Sequence, residues 1–207
     1  MTFEESLSKQ VNTDGSIYGG HRPLMEAAMH TVLGRIEMIS AQIQKDAHIK
    51  PIDHVLSRIK SEESMREKCR RNNLDETEYS ALYKIHDAIG IRIVCAFVSD
   101  VYAIKDMLLE AKELEVVTQK DYIRHAKDNG YRSLHLIIRY DNKYYIEIQI
   151  RTISQDTWAA LEHSLKYKKN ISSDLNLITS ELKRCADELA STEMSMQTIR
   201  DMINQEV

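Results

Sequence analysis

Residues Tyr144–Arg151 read YYIEIQIR, and this alternation decides the fold. Successive side chains of a strand point to opposite faces. Tyr144, Ile146, Ile148 and Ile150 therefore share one face, and Tyr145, Glu147, Gln149 and Arg151 share the other. A wholly aliphatic back packs on a core. A front built of a carboxylate, an amide and a guanidinium is either a solvated surface or a site. Just upstream, Asp141-Asn142 is a tight-turn signal. Before it, Ser133–Tyr140 repeats the pattern, with Leu134, Leu136 and Ile138 opposite Ser133, His135 and Arg139. The two segments predict a hairpin with one apolar and one polar face.

Further out, Gly90–Phe97 (GIRIVCAF) is β-branched and apolar, a buried strand whose Ile91, Ile93 and Cys95 point away from Arg92. Leu114–Gln119 is a further strand. Residues 54–60 form a short one, in which Arg58 and Lys60 lie opposite Ile59. Ser61 is placed to cap a helix running to about Asn72, and Ser99 to cap one carrying Val101, Ile104 and Leu108. Residues 153–168 read as helix. Met25, Met29, Val32, Ile36, Ile39 and Ile43 step by four and three, the stripe of a long N-terminal helix that Lys50-Pro51 ends. Leu175, Ile178, Leu182, Cys185, Leu189, Met196, Ile199 and Ile203 keep near-heptad spacing, predicting one long helix or two in a hairpin. The fold class is α+β: a mixed sheet of about five strands flanked by helices, with long helices at both ends. Its expected organisation is an N-terminal helical segment (1–52), a central sheet-containing domain (53–169) and a C-terminal helical segment (170–207) whose apolar stripe is expected to form oligomers.

The chain has 207 residues, 43 % apolar and 29 % charged, the make-up of a soluble globular protein. Its apolar runs fall short of the ~20 residues of a membrane span. The first ten residues, MTFEESLSKQ, are polar and acidic where a signal peptide is basic and then apolar. The expectation is a cytoplasmic protein without membrane contact. Cys69, Cys95 and Cys185 are far apart and odd in number, which argues against a disulfide framework or a zinc site and for buried free thiols. A net charge of −4 argues against general affinity for nucleic acid. The distribution is uneven: residues 50–71 carry seven Lys or Arg against four acids, and residues 171–207 seven acids against three bases. A basic centre in an acidic molecule suits a small anionic ligand.

Ser64, Lys68 and Arg71 fall at i, i+4 and i+7 on the predicted helix after Arg58 and Lys60. Cations converging from a strand and a helix start suit a polyphosphate, and equally describe a solvated basic helix. A triphosphate brings Mg²⁺, held by one or two carboxylates plus phosphate oxygens. Asp87, just before the GIRIVC strand, and Glu147 are the candidates, although Asp87 also reads as a turn residue. In the loop KDNGYRSLH (127–135), Tyr131 either anchors the loop or offers a flat ring to a purine, with Lys127 and His135 near phosphates.

Five segments in order resemble the synthetase domain of the RelA/SpoT family, in particular its single-domain members, the small alarmone synthetases, nearer the RelP than the RelQ group. They are SRIKSEESMREKCRR (57–71), HDAIGIRIVCAFVSDVY (86–102), KDYIRHAKDNGYRSLHLII (120–138), IEIQIRT (146–152) and WAALEHSLKYK (158–168). The chain has Asp-Ala-Ile-Gly where the family has Asp-Ile-Ala-Gly, a swap that keeps Asp87 and Arg92 in register. The resemblance implies transfer of the β,γ-pyrophosphate of ATP to the 3′-hydroxyl of GDP or GTP. It implies adenine stacked by Arg58 and Arg92, and phosphates held by Lys60, Ser64, Lys68 and Arg71. Asp87 would hold Mg²⁺. Guanine would stack on Tyr131, with Lys127, Asn129, His135 and Gln149 around the acceptor. Glu147 would face the 3′-hydroxyl as general base, Mg²⁺ ligand or both. A homotetramer built through the terminal helices is also implied. His86-Asp87 spells the HD dipeptide of the hydrolases that degrade alarmones. Those enzymes need further ligands on a separate helical domain, so the expectation is synthesis without hydrolysis. A nucleotidyltransferase that releases pyrophosphate would carry paired acids on one strand, a feature the sequence lacks. A tRNA 3′-end pyrophosphokinase and an inactive nucleotide-sensing module remain as alternatives.

Overall fold

The computed structural model describes residues 15–47, 50–166 and 175–205. The polar N-terminal decapeptide, the end of the predicted 153–168 helix and the 169/170 boundary lie outside these residues.

A five-stranded sheet in the order β1-β2-β5-β4-β3 organises the chain. Its strands are β1 (Ile52–Ile59), β2 (Ile89–Cys95), β3 (Leu114–Asp121), β4 (Leu134–Tyr140) and β5 (Tyr144–Thr152). β2 pairs parallel with β5; the other neighbours are antiparallel. β4 and β5 form the expected hairpin, with Tyr140 opposite Tyr144. At its turn Asp141 and Asn142 both take positive φ, 51° and 52°, the backbone that Asp and Asn tolerate better than most residues.

The α-helices among the described residues are α1 (Arg22–Ala47), α2 (Glu62–Arg71), α3 (Val98–Glu110), α4 (Ile153–Lys166) and α5 (Leu175–Gln205). α1 and α3 lie against the apolar back of the sheet. Met25, Met29, Val32, Ile36 and Ile39 of α1 and Val101, Ile104 and Leu108 of α3 are buried there with Leu134, Leu136, Ile138, Ile146, Ile148 and Ile150. Burying a side chain of this kind contributes roughly 1.5–3 kcal/mol, so this layer fixes the strands that carry the polar front. α4 follows β5 directly, and α5 lies along α4.

Ser61 caps α2, its hydroxyl accepting from the Ser64 amide at 3.3 Å. Ser99 does not cap α3. The cap is at Phe97, whose amide donates to the Asp100 carboxylate at 3.2 Å, so the helix begins at Val98, before Ser99, and the side chain that serves its start is Asp100. Cys69 and Cys95 are buried, but Cys185 is exposed on α5, contrary to the expectation of buried thiols. A π-helical turn at Ser80–Lys84, unforeseen in the sequence, leads into β2. No helix of the described residues is long and apolar enough to cross a membrane.

Candidate active site

The polar front carries its functional groups in cross-strand rows. Arg58 pairs with Gly90, and Gly90 with Glu147; two residues along on the same face, Arg92 pairs with Gln149 and Gln149 with His135. Gly90 leaves the floor bare between Arg58 and Glu147. The result is a cleft of about 180 Å³ lined by Arg58, Lys60, Asp87, Gly90, Arg92, Glu147 and Gln149, with Leu56, Ser57 and Ile91. Eight of the lining residues thus come from β1 and its end, β2 and the turn before it, and two from β5.

On one side stands a cluster of cations around a single carboxylate. Lys60 leaves the end of β1, where its amide bonds to Ala88 O at 2.9 Å, next to Asp87. Its Nζ lies 3.0 Å from Asp87 Oδ2, and Lys68 Nζ of α2 lies 2.5 Å from the same oxygen. Burial pushes the Asp87 carboxyl up, but the hydrogen bonds and charges of the two lysines prevail and hold it below the usual range. Asp87 Oδ1 is buried without a hydrogen-bond partner among the described residues. Ser64 is hydrogen-bonded to Ser61, and Arg71 is exposed at the helix end. A buried segment before α1 braces this side: Tyr18 donates to Lys60 O at 2.8 Å, and Ser16 to Glu62 at 2.7 Å.

On the other side a chain of hydrogen bonds runs through Glu147. Tyr131 Oη meets His135 Nε2 at 2.9 Å, His135 Nδ1 meets Glu147 Oε1 at 3.2 Å, and Gln149 donates to Glu147 Oε2 at 3.0 Å. An imidazole protonated at Nδ1 satisfies both of its partners. Burial raises the Glu147 carboxyl and the Asp87 charge adds to that, yet His135 and Gln149 outweigh both and leave it below its ordinary value. Glu147 is therefore ionised at neutral pH. Burial pushes the Tyr131 hydroxyl up, so it stays protonated. Lys127 Nζ stands 4.9 Å from the centre of the Tyr131 ring and 4.6 Å from that of Tyr122. Asn129 turns away from the cleft and donates to Glu162 of α4 at 3.0 Å.

Sequence reasoning left three groups here without a role. Arg151, buried on the polar front, is ion-paired to Asp156 of α4 at 2.6 Å, and Arg92 reaches the same carboxylate at 3.7 Å. Burial and the Arg151 charge lower the Arg92 pKa. Tyr122 stands edge-on to His135, its ring centre 5.3 Å away. Parity already set Arg151 beside Glu147 and Gln149; nothing in the sequence tied Asp156 or Tyr122 to it. His86 stacks on Tyr145 with ring centres 3.9 Å apart and accepts or shares a proton with no carboxylate in the described bonds, its Nε2 meeting Tyr83 O.

Asp87 and Glu147 offer hard carboxylate oxygens, one of them buried and unpartnered, which fits a Mg²⁺ ion completed by phosphate oxygens. Among the described residues no three His, Cys, Asp or Glu side chains gather as a self-sufficient metal site. Such a two-carboxylate site suits a metal that shares its ligands with a bound polyphosphate.

A mixed sheet with cations and an acid on one side of a central carboxylate, and an aromatic ring with a histidine on the other, fits the class of enzymes that transfer phosphoryl groups between two nucleotides. The chain belongs to the RelA/SpoT family: the profile described as "Region found in RelA / SpoT proteins" matches residues 57–172, more than half its length. It is 44 % identical over 144 residues to the GTP pyrophosphokinase YwaC of Bacillus subtilis, covering 66 % of this chain and 68 % of that protein. It is 36 % identical over 170 residues to YjbM of the same organism, also a GTP pyrophosphokinase, covering 78 % and 77 %. The fold matches small alarmone synthetase 1 of B. subtilis bound to its product pppGpp, with TM-score 0.76 and 31 % identity over 86 % of this chain and 94 % of that one. Small alarmone synthetase 2 of B. subtilis matches with TM-score 0.75 and 36 % identity over 86 % and 95 %.

Proposed function

We propose that this chain is a GTP pyrophosphokinase that transfers the β,γ-pyrophosphate of ATP to the ribose 3′-hydroxyl of GDP or GTP, giving ppGpp or pppGpp and AMP. The observation that carries this reading is the placing of Glu147 on the central strand, between the Lys60–Asp87–Lys68 cluster and the Tyr131–His135 pair.

Arg58 and Arg92 take the adenine between flat guanidinium planes, while Lys60, Ser64, Lys68 and Arg71 meet the phosphates. Tyr131 stacks on guanine, and Lys127, Asn129, His135 and Gln149 surround the acceptor. Asn129 must then leave Glu162 or act through the loop it holds. The acceptor oxygen attacks the β-phosphorus in line; a new bond to that phosphorus forms as the α,β-bridging bond breaks, and AMP departs with the bridging oxygen. Glu147 receives the hydroxyl proton, with His135 fixing its orientation. Because its pKa is depressed, Glu147 is a weak base, and positioning with electrostatics supplies most of the rate. Asp87 and Glu147 would hold Mg²⁺, which when bound neutralises charge on the phosphoryl oxygens.

The same reading makes the enzyme a homotetramer joined through its terminal helices, working in the cytoplasm where ATP and GTP are available. Purified protein given ATP, Mg²⁺ and each guanine nucleotide in turn, with products identified by mass, tests it. The expected products are AMP and a nucleotide heavier by one pyrophosphate. Modification of added tRNA alone would turn the assignment to the 3′-end pyrophosphokinase, and no product at all would leave a nucleotide sensor.

A further inference from the structure

The C-terminal helix α5 is seated on its own chain at the loop that carries Tyr131. The Trp158 indole of α4 donates to Leu182 O at 2.9 Å, which fixes α5 along α4. Gly130, at φ +91°, lies so close to α5 that a Cβ on it would fall 2.6 Å from Ala186 Cβ and 3.1 Å from Lys183 Cα. Arg132, on the far side of Tyr131, spans both partners: it donates to Gly130 O at 3.0 Å and to Asp187 Oδ1 at 2.8 Å. Tyr131 is thus flanked by one residue pressed on the helix and another tied to it by charge. The cations proposed for the ATP phosphates stand at the end of β1 and on α2, across the sheet from this contact; of the donor-side groups, Arg92 on β2 comes nearest it, through Asp156 of α4.

We infer that Arg132 and Asp187 are positioning residues for Tyr131, and that α5 holds the acceptor loop in its binding shape. This rests on the reading of Tyr131 as the guanine platform. Binding of the guanine nucleotide then depends on α5, and binding of ATP does not. Asp187 is about half exposed, so its ion pair alone contributes little. The close packing of Gly130 on Ala186 is the stiffer part of the contact, because no side chain there can yield.

The test compares Asp187→Ala, Asp187→Glu and Ala186→Leu in the full chain. Asp187→Ala should raise the KM for the guanine nucleotide about three- to fivefold, the size of one exposed ion pair, at an unchanged KM for ATP. Asp187→Glu, which keeps the charge, should stay within about twofold of the parent. Ala186→Leu, which pushes the helix off Gly130 without touching any charge, should exceed the Asp187→Ala effect. Hydrogen exchange of the amides in residues 127–132 should quicken in the same order. Unchanged exchange in that loop, or KM values for both nucleotides rising together, would overturn the inference. Tyr131→Ala separates it from the reading beneath: an unmoved acceptor KM there would refute Tyr131 as the platform, while loop exchange still decides whether α5 holds the loop.

Discussion

His135 Nδ1 lies 3.2 Å from Glu147 Oε1, while the other ring nitrogen meets the Tyr131 hydroxyl at 2.9 Å. One imidazole therefore couples the proposed guanine platform to the proposed base. Movement of the ring toward an incoming nucleotide is felt by Glu147 without any change in the backbone of β4 or β5.

Glu147→Gln keeps the shape of the side chain and one acceptor oxygen for His135 or Gln149, and removes the charge. Turnover should fall by at least ~10² with the protein still folded, as read by steady-state kinetics beside a thermal melt. Turnover near that of the parent would sink Glu147 both as base and as metal ligand.

Asp87 carries a pH signature. Its folded pKa lies below the usual 3.8, so its ion pairs with Lys60 and Lys68 stabilise the fold above that value. The contribution is lost as pH falls through 3.8 and on through the depressed folded value. Asp87→Asn leaves two ammonium groups facing each other and should cost about 2 kcal/mol at pH 7. In urea titrations the gap between parent and variant should narrow on acidification from pH 5 to pH 3. A gap that widens would show the sign to be wrong.

Tyr131→Ala should raise the acceptor KM strongly and leave the ATP KM near its starting value, since stacking on one base contributes ~1–3 kcal/mol. Tyr131→Phe keeps the ring and loses only the bond to His135, so it should be far milder. Equal damage to both nucleotides would point to a collapsed loop instead.

The outward side of α5 leaves Met194, Met196, Ile199, Met202 and Ile203 at least half exposed. An apolar stripe of that length marks an interaction surface. Light scattering should give the mass of four chains for the parent and a smaller assembly for Ile199→Asp combined with Met202→Asp. A monomeric parent would defeat the tetramer.

Strand parity made the sheet legible because period two is read one residue at a time. The alternation of YYIEIQIR set Glu147 and Gln149 on one face, and Asp141-Asn142 fixed the hairpin at a turn that needs positive φ. Helix ends were less legible. Ser99 has the right chemistry for a cap, but Asp100 one position on accepts from the Phe97 amide, and a single sequence cannot rank two such neighbouring acceptors. The Arg151–Asp156 pair and the seat of Gly130 on Ala186 join residues whose nearness depends on how α4 and α5 return over the sheet. No local pattern encodes that return. The near-heptad spacing of α5 pointed to contacts between chains without saying what its other side meets; in the structure one side of the helix meets α4 and the acceptor loop, and Arg200 reaches Asp100 of α3 at 2.8 Å.

The parallel pairing of β2 with β5 has a consequence for the chain as it is made. The proposed donor-binding groups are all present once β2 has been synthesised, whereas Glu147 arrives only with the last strand of the sheet. The sheet belongs to one domain, and domains fold as units. A chain that ends before β5 lacks the strand with which both β2 and β4 pair, and with it Glu147. Such a chain carries the proposed donor groups in its sequence but has no seam on which to join two nucleotides.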